Sequence, residues 1–183
     1  MKSQQAVNTR QAILKSAYQI VQEQGFTSLT LEAVAKHAGV SKGGLLYHFG
    51  SKDALIGGMI TLISEIADKQ IEEQYEQSSK DPGAFLRAYI SLHKVEDYEK
   101  EMGPGMLAAL ASNPSLLDPL RADATQTQQR IENDGIDPVL ATIIRLAFDS
   151  LIMSEFLQIG ELDQDMRAAV IERLNDMTHI KKE

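Results

Sequence analysis

An all-α fold is predicted, and three features of the sequence indicate it. Apolar residues recur at helical spacing along most of the 183 residues, which is the pattern of amphipathic helices. No stretch of any length alternates between apolar and polar residues as a half-buried strand does. Pairs of helix-starting and helix-ending residues divide the chain into successive segments, and a hydrophobic content of 43% is enough to build a core from them.

The N-terminal part of the chain divides into three short helices. Thr9 is positioned to cap a helix over residues 10–24, and Thr30 to cap a second one over residues 31–38. Ser41 begins a third helix after a tight turn that contains glycine. Two short helices joined by such a turn are the pattern of a helix-turn-helix.

Further helices are predicted along the rest of the chain. Most of them open at a serine, at an aspartate, or at an Asn-Pro or Asp-Pro step, all of which are common helix starts. A Gly-Pro-Gly sequence interrupts the pattern near the middle of the chain. The predicted spans are 52–77, 82–102, 106–111, 115–132, 138–159 and 164–177.

Charge is distributed unevenly along the sequence. Residues 1–52 contain six basic and two acidic residues, a charge of +4, whereas residues 53–183 contain 12 basic and 24 acidic residues, a charge of −12. The whole-chain charge of −8 argues against binding to nucleic acid, but the local charge of the N-terminal part favours it. The acidic remainder repels DNA, which would confine any contact to the N-terminal part.

Composition also sets the expected compartment. The sequence has no cysteine, so disulfide bonds and thiolate chemistry are excluded, as is usual in a reducing cytosol. The N-terminus lacks the apolar core of a signal peptide. Charged residues interrupt the longest apolar stretches, so no membrane span is predicted. A cytoplasmic protein with no membrane partner is therefore expected.

The segment VSKGGLLYHFGSK, residues 40–52, has the features of a binding site. Lys42 and Lys52 each follow a serine N-cap, and a cation at the positive end of a helix is mildly unfavourable unless an anion lies there too. The adjacent residues Gly43 and Gly44 weaken the helix, and they let another backbone approach closely. These residues predict contact with an anionic polymer such as DNA.

Two further side chains in this segment support the same interpretation. Tyr47 and His48 supply hydrogen-bond donors that can reach phosphate oxygens or base edges. A simpler interpretation treats Gly43 and Gly44 as a loop, and Tyr47 and Phe49 as core residues. Each residue alone fits either interpretation, whereas the helix-turn-helix pattern, the local positive charge and the capped lysines together favour DNA.

Three stretches of the N-terminal part form a more specific pattern: GFTSLT at 25–30, AVAKHAGVSKG at 33–43 and YHFGSKDAL at 47–55. Together they resemble the DNA-binding domain of the TetR family of transcriptional regulators. The resemblance implies an all-α homodimer in which residues 1–52 form a three-helix helix-turn-helix domain that binds double-stranded operator DNA. Residues 53–183 would form a larger helical domain for dimerisation and for a small-molecule inducer.

The family pattern also places the DNA contacts. Family members often carry threonine at the position of Gly44 and a second aromatic residue at the position of Leu46. Because these groups are absent here, the contacts with DNA are expected to depend more on Tyr47, His48 and the lysines. The predicted contact residues are Thr30, Ser41, Lys42, Gly43, Gly44, Leu46, Tyr47, His48 and Lys52.

The last two helices are predicted to form the homodimer interface. Within residues 138–159, apolar residues occupy most of the helix circumference, so the helix is expected to be buried on more than one side. One of those sides would meet a second subunit across a twofold axis; the alternative is a central helix of a monomer. The predicted interface residues are Leu140, Ile144, Ala147, Leu151, Leu157, Met166, Val170 and Leu174.

Apolar and aromatic residues between the predicted interface and the N-terminal domain suggest an inducer pocket. Such residues at helical spacing are more often plain core. Gly57 and Gly58 inside the fourth helix are either a flexible point, through which ligand binding moves the N-terminal domain, or a site of close packing against the first helix. The predicted pocket residues are Met59, Ile63, Phe85, Tyr89, Met102, Met106, Leu110, Leu117 and Phe148.

The expected function is that of a ligand-responsive repressor, which a small apolar or amphipathic molecule releases from DNA. Two alternatives are an activator and a constitutive regulator without an inducer. The sequence shows no phosphate loop, nucleophile elbow or zinc-protease motif, so no enzyme is predicted. No cofactor is expected, and no ligand spacing indicates a metal.

Overall fold

The computed structural model describes residues 2–94 and 109–179, and helices dominate this part of the chain. It contains no strand within these residues, which confirms the predicted all-α fold. Three 3-10 turns cover Phe26–Ser28, Ser91–Lys94 and Pro114–Leu117. The α-helices used below are α1 (Lys2–Gln24), α2 (Leu31–His37), α3 (Lys42–His48), α4 (Lys52–Gln77), α5 (Ala84–Ile90), α6 (Asp118–Glu132), α7 (Pro138–Leu157) and α8 (Gln164–Met177).

Side-chain caps begin the short N-terminal helices as the sequence predicts. The Thr30 hydroxyl accepts a hydrogen bond from the amide of Ala33 at 3.1 Å. The Ser41 hydroxyl accepts one from the amide of Gly44 at 3.0 Å. Each cap satisfies an amide that the first helical turn leaves without a partner.

Aspartate caps begin the last two helices in the same way. The Asp137 carboxylate accepts from the amide of Leu140 at 2.9 Å, and the Asp163 carboxylate accepts from the amide of Met166 at 2.8 Å. The predicted starts of α7 and α8 are therefore confirmed.

The structure corrects several predicted helix boundaries. The fifth helix begins at Ala84 and passes into a 3-10 turn after Ile90, and the sixth begins at Asp118. The first helix begins at Lys2, so Thr9 lies inside it, and its hydroxyl donates to the carbonyl of Gln5 at 2.8 Å. The seventh helix ends at Leu157 rather than at Ile159, because Gln158 adopts a left-handed conformation with φ of 54°.

The described residues form two compact units. The first contains residues 2–64 and 109–120, and the second contains residues 65–94 and 121–179. The fourth helix contributes to both, with residues up to Ser64 in the first unit. The predicted boundary between residues 52 and 53 stays a prediction.

Close packing in the first unit explains the glycine pair of α4. A methyl group on Gly58 would lie 2.6 Å from the ring of Phe49 and 3.2 Å from the side chain of Leu14 on α1. On Gly57 it would lie 3.4 Å from Leu116. Because Phe49 and Leu14 are buried, there is no room for a larger residue at position 58, and the prediction of close packing against the first helix is confirmed.

The second unit has a separate apolar core built from α5, α7 and α8, together with the parts of α4 and α6 that belong to it. Leu86, Ala141 and Ile144 are wholly buried in it. The core members are Ile71, Phe85, Leu86, Ala88, Ile90, Ile131, Ile136, Ala141, Ile144, Phe148, Leu151, Ile171 and Leu174.

Candidate DNA-contact surface, ligand region and subunit interface

Alternate side chains of α3 point inward and outward. Leu45 is wholly buried, and Phe49, at the C-terminal cap of α3, is 3% exposed. These two residues therefore pack α3 against the other helices of the first unit. Tyr47 is 82% exposed and Leu46 is 39% exposed. The interpretation of Tyr47 as a core residue is therefore wrong, whereas that of Phe49 as core is confirmed.

The glycines of this segment lie in the first turn of α3 and do not form a loop. A methyl group built on Gly43 would meet nothing within 4 Å. On Gly44 it would lie 3.3 Å from the Ser41 hydroxyl that caps the helix. Packing within the chain therefore does not require glycine at position 43. Its presence there is unexplained by the fold, because glycine in a helix costs about 1 kcal/mol of stability relative to alanine.

Both lysines of the segment contact groups of their own chain. Lys42 forms a salt bridge with Glu32 of α2, and its hydrogen bond lowers the pKa of the Glu32 carboxyl. The Lys52 ammonium group lies 5.5 Å from the centre of the Phe26 ring. Lys42 therefore already has an anionic partner within its own chain, and its contact with DNA stays a prediction. Sequence reasoning missed this pair because a separation of ten residues corresponds to no helical period.

All nine predicted DNA contacts lie in the described residues, and none of them is buried. Gly44 and His48 are half-buried, and the other seven are exposed. The edge of the His48 ring packs against the ring of Tyr47 with centroids 5.2 Å apart. The residues cluster at the start of α2, along α3 and at the start of α4.

The predicted pocket residues are divided between the two units. Met59, Ile63, Leu110 and Leu117 belong to the first unit, and Phe85, Tyr89 and Phe148 belong to the second. Met102 and Met106 lie outside the described residues. Met59, Phe85 and Phe148 are at most 4% exposed, so in this conformation they are core residues.

A polar cluster lies beside these aromatic residues in the second unit. The Tyr89 hydroxyl donates to one oxygen of the Asp149 carboxylate at 2.6 Å, and Arg145 donates to the other at 2.5 Å. The ring of Tyr89 packs edge-on against Phe148 at 5.7 Å. Burial, followed by the hydrogen bond to Asp149, raises the pKa of the Tyr89 hydroxyl well above its usual range.

Two buried polar atoms near this cluster have no hydrogen-bond partner among the described residues. They are the Arg145 Nε and the Gln128 Oε1. The Gln128 amide nitrogen donates to the Thr142 hydroxyl at 2.8 Å. Because Thr142 and Arg145 are three residues apart on α7, they share one face of the helix. The sequence signal was the spacing of Thr142, Arg145 and Asp149 within an otherwise apolar helix.

An open groove of about 670 Å³ lies elsewhere in the second unit, between the end of α4, α5 and α8. None of the predicted pocket residues that the structure describes lines it. Its floor is apolar and its rim carries amides, hydroxyls and two arginines. The lining residues are Gln74, Gln77, Ser78, Ala84, Arg87, Ala88, Ile90, Ser91, Arg167, Ala168, Ile171, Glu172 and Asn175.

The predicted interface residues are a mixture of buried and exposed side chains. Ile144, Leu151 and Leu174 are at most 7% exposed and belong to the core of their own chain. Their side chains are thus already covered within the chain, because apolar periodicity alone does not separate the core side of a helix from a side that would face a partner. Leu140, Leu157 and Val170 are half-buried, while Ala147 and Met166 are exposed.

Another face of α7 exposes large apolar side chains that sequence reasoning missed. Val139, Ile143, Leu146 and Met153 are between 51% and 66% exposed. Their spacing of four, three and seven residues places them on one side of the helix. Beyond the helix, Ile159, Leu162 and Met166 are also exposed. Helix α7 and the stretch from Ile159 to Met166 thus present a substantial apolar surface.

Two classes of site are not found in the described part of the chain. None of its helices combines the length and the apolar character that a membrane crossing requires. Residues 2–94 and 109–179 also contain no group of three or more His, Asp or Glu side chains placed to hold a metal ion.

Both parts of the chain match known families. Residues 13–59 match the family described as bacterial regulatory proteins, tetR family. Residues 83–179 match the tetracyclin repressor-like C-terminal domain. A curated relative, the HTH-type transcriptional regulator RutR of Escherichia coli K12, is 35% identical over 126 residues. The match covers 67% of this chain and 58% of that relative.

Solved structures share the fold at low sequence identity. A transcriptional regulator from Rhodococcus sp. Rha1 superposes with a TM-score of 0.71 at 18% identity, over 92% of this chain and 93% of that one. The multidrug binding protein EbrR complexed with imidazole gives 0.61 at 21% identity, over 90% and 93% of the two chains. With a C-terminal match that spans more than half of its residues, and with a matched helix-turn-helix before it, this chain belongs to the TetR family of DNA-binding transcriptional regulators.

Proposed function

We propose that this protein is a ligand-responsive repressor, which binds operator DNA as a homodimer and leaves it when a small amphipathic molecule binds. The observation that carries the proposal is the outward face of α3, where Tyr47 is 82% exposed beside an unobstructed Gly43. We expect it to act in the cytoplasm, where bacterial DNA is found. An activator, or a constitutive regulator without an inducer, is the alternative within the same family.

The chemistry of the α3 surface supports contact with DNA. Tyr47 places a hydroxyl at the surface, and phenolic hydroxyls donate to phosphate oxygens. The bare backbone at Gly43 permits a close approach of the DNA backbone, which explains a glycine that internal packing does not require. The net charge of the first 52 residues, +4, also favours binding to DNA.

The exposed face of α7 supports a homodimer. Val139, Ile143, Leu146 and Met153 leave apolar area in water that burial against a like surface would remove. A twofold axis pairs the same patch from two subunits. Two helix-turn-helix domains then read two half-sites, about 34–36 Å apart.

The polar cluster of the second unit supports an amphipathic inducer. A buried polar atom without a partner is costly, and such atoms commonly mark the place of an ordered water or a ligand. The Arg145 Nε donates and the Gln128 Oε1 accepts, so a ligand polar group beside them needs both an acceptor and a donor. The neighbouring rings of Phe148 and Tyr89 suit an apolar body.

Contacts within the first unit suggest how α4 is held. The Asn113 amide donates to the Asp53 carboxylate in the first turn of α4 at 3.0 Å. One turn later, Gly57 lies against Leu116. A ligand that shifts α4 would therefore have to change these contacts, and the start of α4 carries Lys52 of the DNA-contact surface.

The test is thermodynamic linkage between ligand and operator. The structure of EbrR complexed with imidazole makes imidazole a suitable first probe, because it carries one hydrogen-bond donor and one acceptor and does not intercalate into DNA, and an operator can be selected from random duplexes. We expect operator to weaken imidazole binding by the same factor by which imidazole weakens operator binding, about 5- to 150-fold. The variant Gln128→Leu, which removes one polar partner, should weaken imidazole binding and leave DNA binding intact. Equal ligand affinities with and without operator would favour the constitutive regulator.

A further inference from the structure

Glu32 is an acidic residue on the surface that is proposed to face DNA. The first 52 residues contain two acids, Glu23 and Glu32, against six basic residues. Glu32 lies in the first turn of α2 and forms a salt bridge with Lys42, the first residue of α3. The side chains of Glu32 and Lys42 are 64% and 59% exposed. The pair therefore lies at the surface and joins the two helices of the helix-turn-helix.

The stability of the fold gives only a small reason for this pair. Exposed ion pairs contribute little, because both groups lose water contacts and side-chain freedom when they meet. An acid in the first turn also helps its helix slightly, but Thr30 already caps α2 with a hydrogen bond to Ala33. Lys42 lowers the pKa of Glu32, so the carboxylate stays ionised at neutral pH. A fixed negative charge thus stands beside a lysine that is proposed to contact phosphate.

We propose that Glu32 competes with DNA phosphate for Lys42 and thereby weakens binding to every DNA sequence. Lys42 has to leave Glu32 in order to reach a phosphate. The vacated carboxylate then attracts a cation from solution while the phosphate releases one, so the net release of counterions at this contact is small. A lysine without a paired carboxylate contributes about 0.9 to the slope of log affinity against log salt. The inference rests on the phosphate contact proposed above for Lys42.

The consequence is control over binding strength without a change in sequence preference. Phosphate contacts position a protein on DNA but carry no sequence information. A competitor for a phosphate-binding lysine therefore lowers affinity for operator and for random DNA by the same factor. This reduces the fraction of the protein held on non-specific DNA, which greatly outnumbers operator sites in a cell.

The experiment measures binding to a random-sequence duplex and to a selected operator between 50 and 200 mM salt. It uses the full chain with Glu32→Gln, Lys42→Gln, the double variant, and Glu23→Gln. Glu23 is the matched control, because its substitution makes the same charge change on the exposed end of α1. We expect Glu32→Gln to bind both duplexes more tightly and to steepen the salt slope by about 0.9. Its advantage over the wild type should shrink about threefold across that salt range.

The double variant identifies the route of the effect. If Glu32 acts through Lys42, Glu32→Gln gains nothing in the Lys42→Gln background. A gain that persists there, a gain equal to that of Glu23→Gln, or a loss of affinity in Glu32→Gln would overturn the proposal. If adding Lys42→Gln to Glu32→Gln lowers neither the affinity nor the salt slope, which should fall by about 0.9, the phosphate contact itself is wrong, which is a failure distinct from that of the competition. Thermal unfolding of each variant separates these effects from loss of fold.

Discussion

The start of α5 in the second unit differs from the helix starts of the first unit. In the first unit the hydroxyls of Thr30, Ser41 and Ser51 each cap a helix by accepting from an amide three residues ahead. In the second unit α5 starts at Gly83, which supplies no side-chain cap. Its amides instead donate to the carboxylate of Asp134, a residue about fifty positions further along the chain. In the first unit each of these caps lies three residues from the amide that it satisfies. The cap of α5 instead comes from a residue distant in sequence, so it can form only when the chain has folded.

The start of α5 shows how many distant groups such a contact involves. The amides of Phe85 and Leu86 donate to the Asp134 carboxylate at 3.1 and 2.8 Å. The amide of Gly83 donates to the Asp134 carbonyl at 2.7 Å. Arg87 donates to the Thr178 hydroxyl at 3.2 Å. The cap therefore requires two separate stretches of sequence to meet, and a third stretch, at Thr178, contacts Arg87 of the same helix.

The units also differ in the apolar side chains that they leave exposed. The exposed large apolar residues described in the first unit are Val7, Leu46 and Tyr47. Those of the second unit are Ile66, Val139, Ile143, Leu146, Met153, Ile159, Leu162 and Met166. A surface with few apolar groups suits DNA, which is bound through charge and hydrogen bonds, whereas a larger apolar surface suits a protein partner.

Adjacent residues of α7 give the sharpest test of this difference. Ile143 is 54% exposed and Ile144 is wholly buried. Ile143→Asp should give a folded monomer, with a dimer dissociation constant raised about 100-fold or more, since a charge in an interface core costs several kcal/mol. Ile144→Asp should instead unfold the second unit. Sedimentation and circular dichroism separate the two outcomes, and an unchanged oligomeric state in Ile143→Asp would remove this face as the interface.

Two glycines separate fold from function within the first unit. Gly58→Ala places a methyl group 2.6 Å from the buried ring of Phe49, so it should destabilise the unit by about 3 kcal/mol through overpacking. Gly43→Ala meets no neighbour, so it should stabilise α3 by about 1 kcal/mol. If DNA approaches the backbone at position 43, the Gly43→Ala variant should nevertheless bind DNA about tenfold more weakly than the wild type, as expected for a lost contact of about 1.4 kcal/mol. Urea unfolding and DNA titration check both, and full DNA affinity in Gly43→Ala would contradict the close approach.

Sequence reasoning was most reliable where the physical signal is local. The caps at Thr30, Ser41, Asp137 and Asp163 lie three residues from the amides that they satisfy, so the sequence alone identifies them. The salt bridge between Glu32 and Lys42 spans two helices, and its spacing has no helical period. No local pattern therefore reports it.

The candidate ligand and dimer residues were predicted less well for a related reason. Helical periodicity identifies an apolar face but not what covers it. Ile144 and Leu151 therefore looked like interface residues, although they pack within their own chain. The polar spacing of Thr142, Arg145 and Asp149 was visible in the sequence, but its partners Gln128 and Tyr89 come from other helices.

A comparison of two aspartate caps tests the contrast between local and distant organisation. Asp134→Ala leaves the amides of Phe85 and Leu86 without their acceptor, and should destabilise the second unit by about 2 kcal/mol. Asp163→Ala removes the local cap of α8, and should cost about 1 kcal/mol. Equal losses in urea unfolding would mean that the distant cap holds no more of the fold than a local one does.

The last comparison concerns the pH dependence of the second unit. Tyr89→Phe removes the donor to Asp149 and should cost about 1.5 kcal/mol at neutral pH. Because the folded pKa of Tyr89 is raised above its unfolded value of about 10, this stabilisation is fully present below pH 10 and is lost as the pH rises further. The stability difference between wild type and Tyr89→Phe in urea should therefore be constant from pH 7 to about 9 and shrink above about 10. Tyr47→Phe, at an exposed ring, is the control and should match the wild type at each pH. A Tyr89→Phe difference that stays constant through pH 11 would show that the hydroxyl is not buried against Asp149.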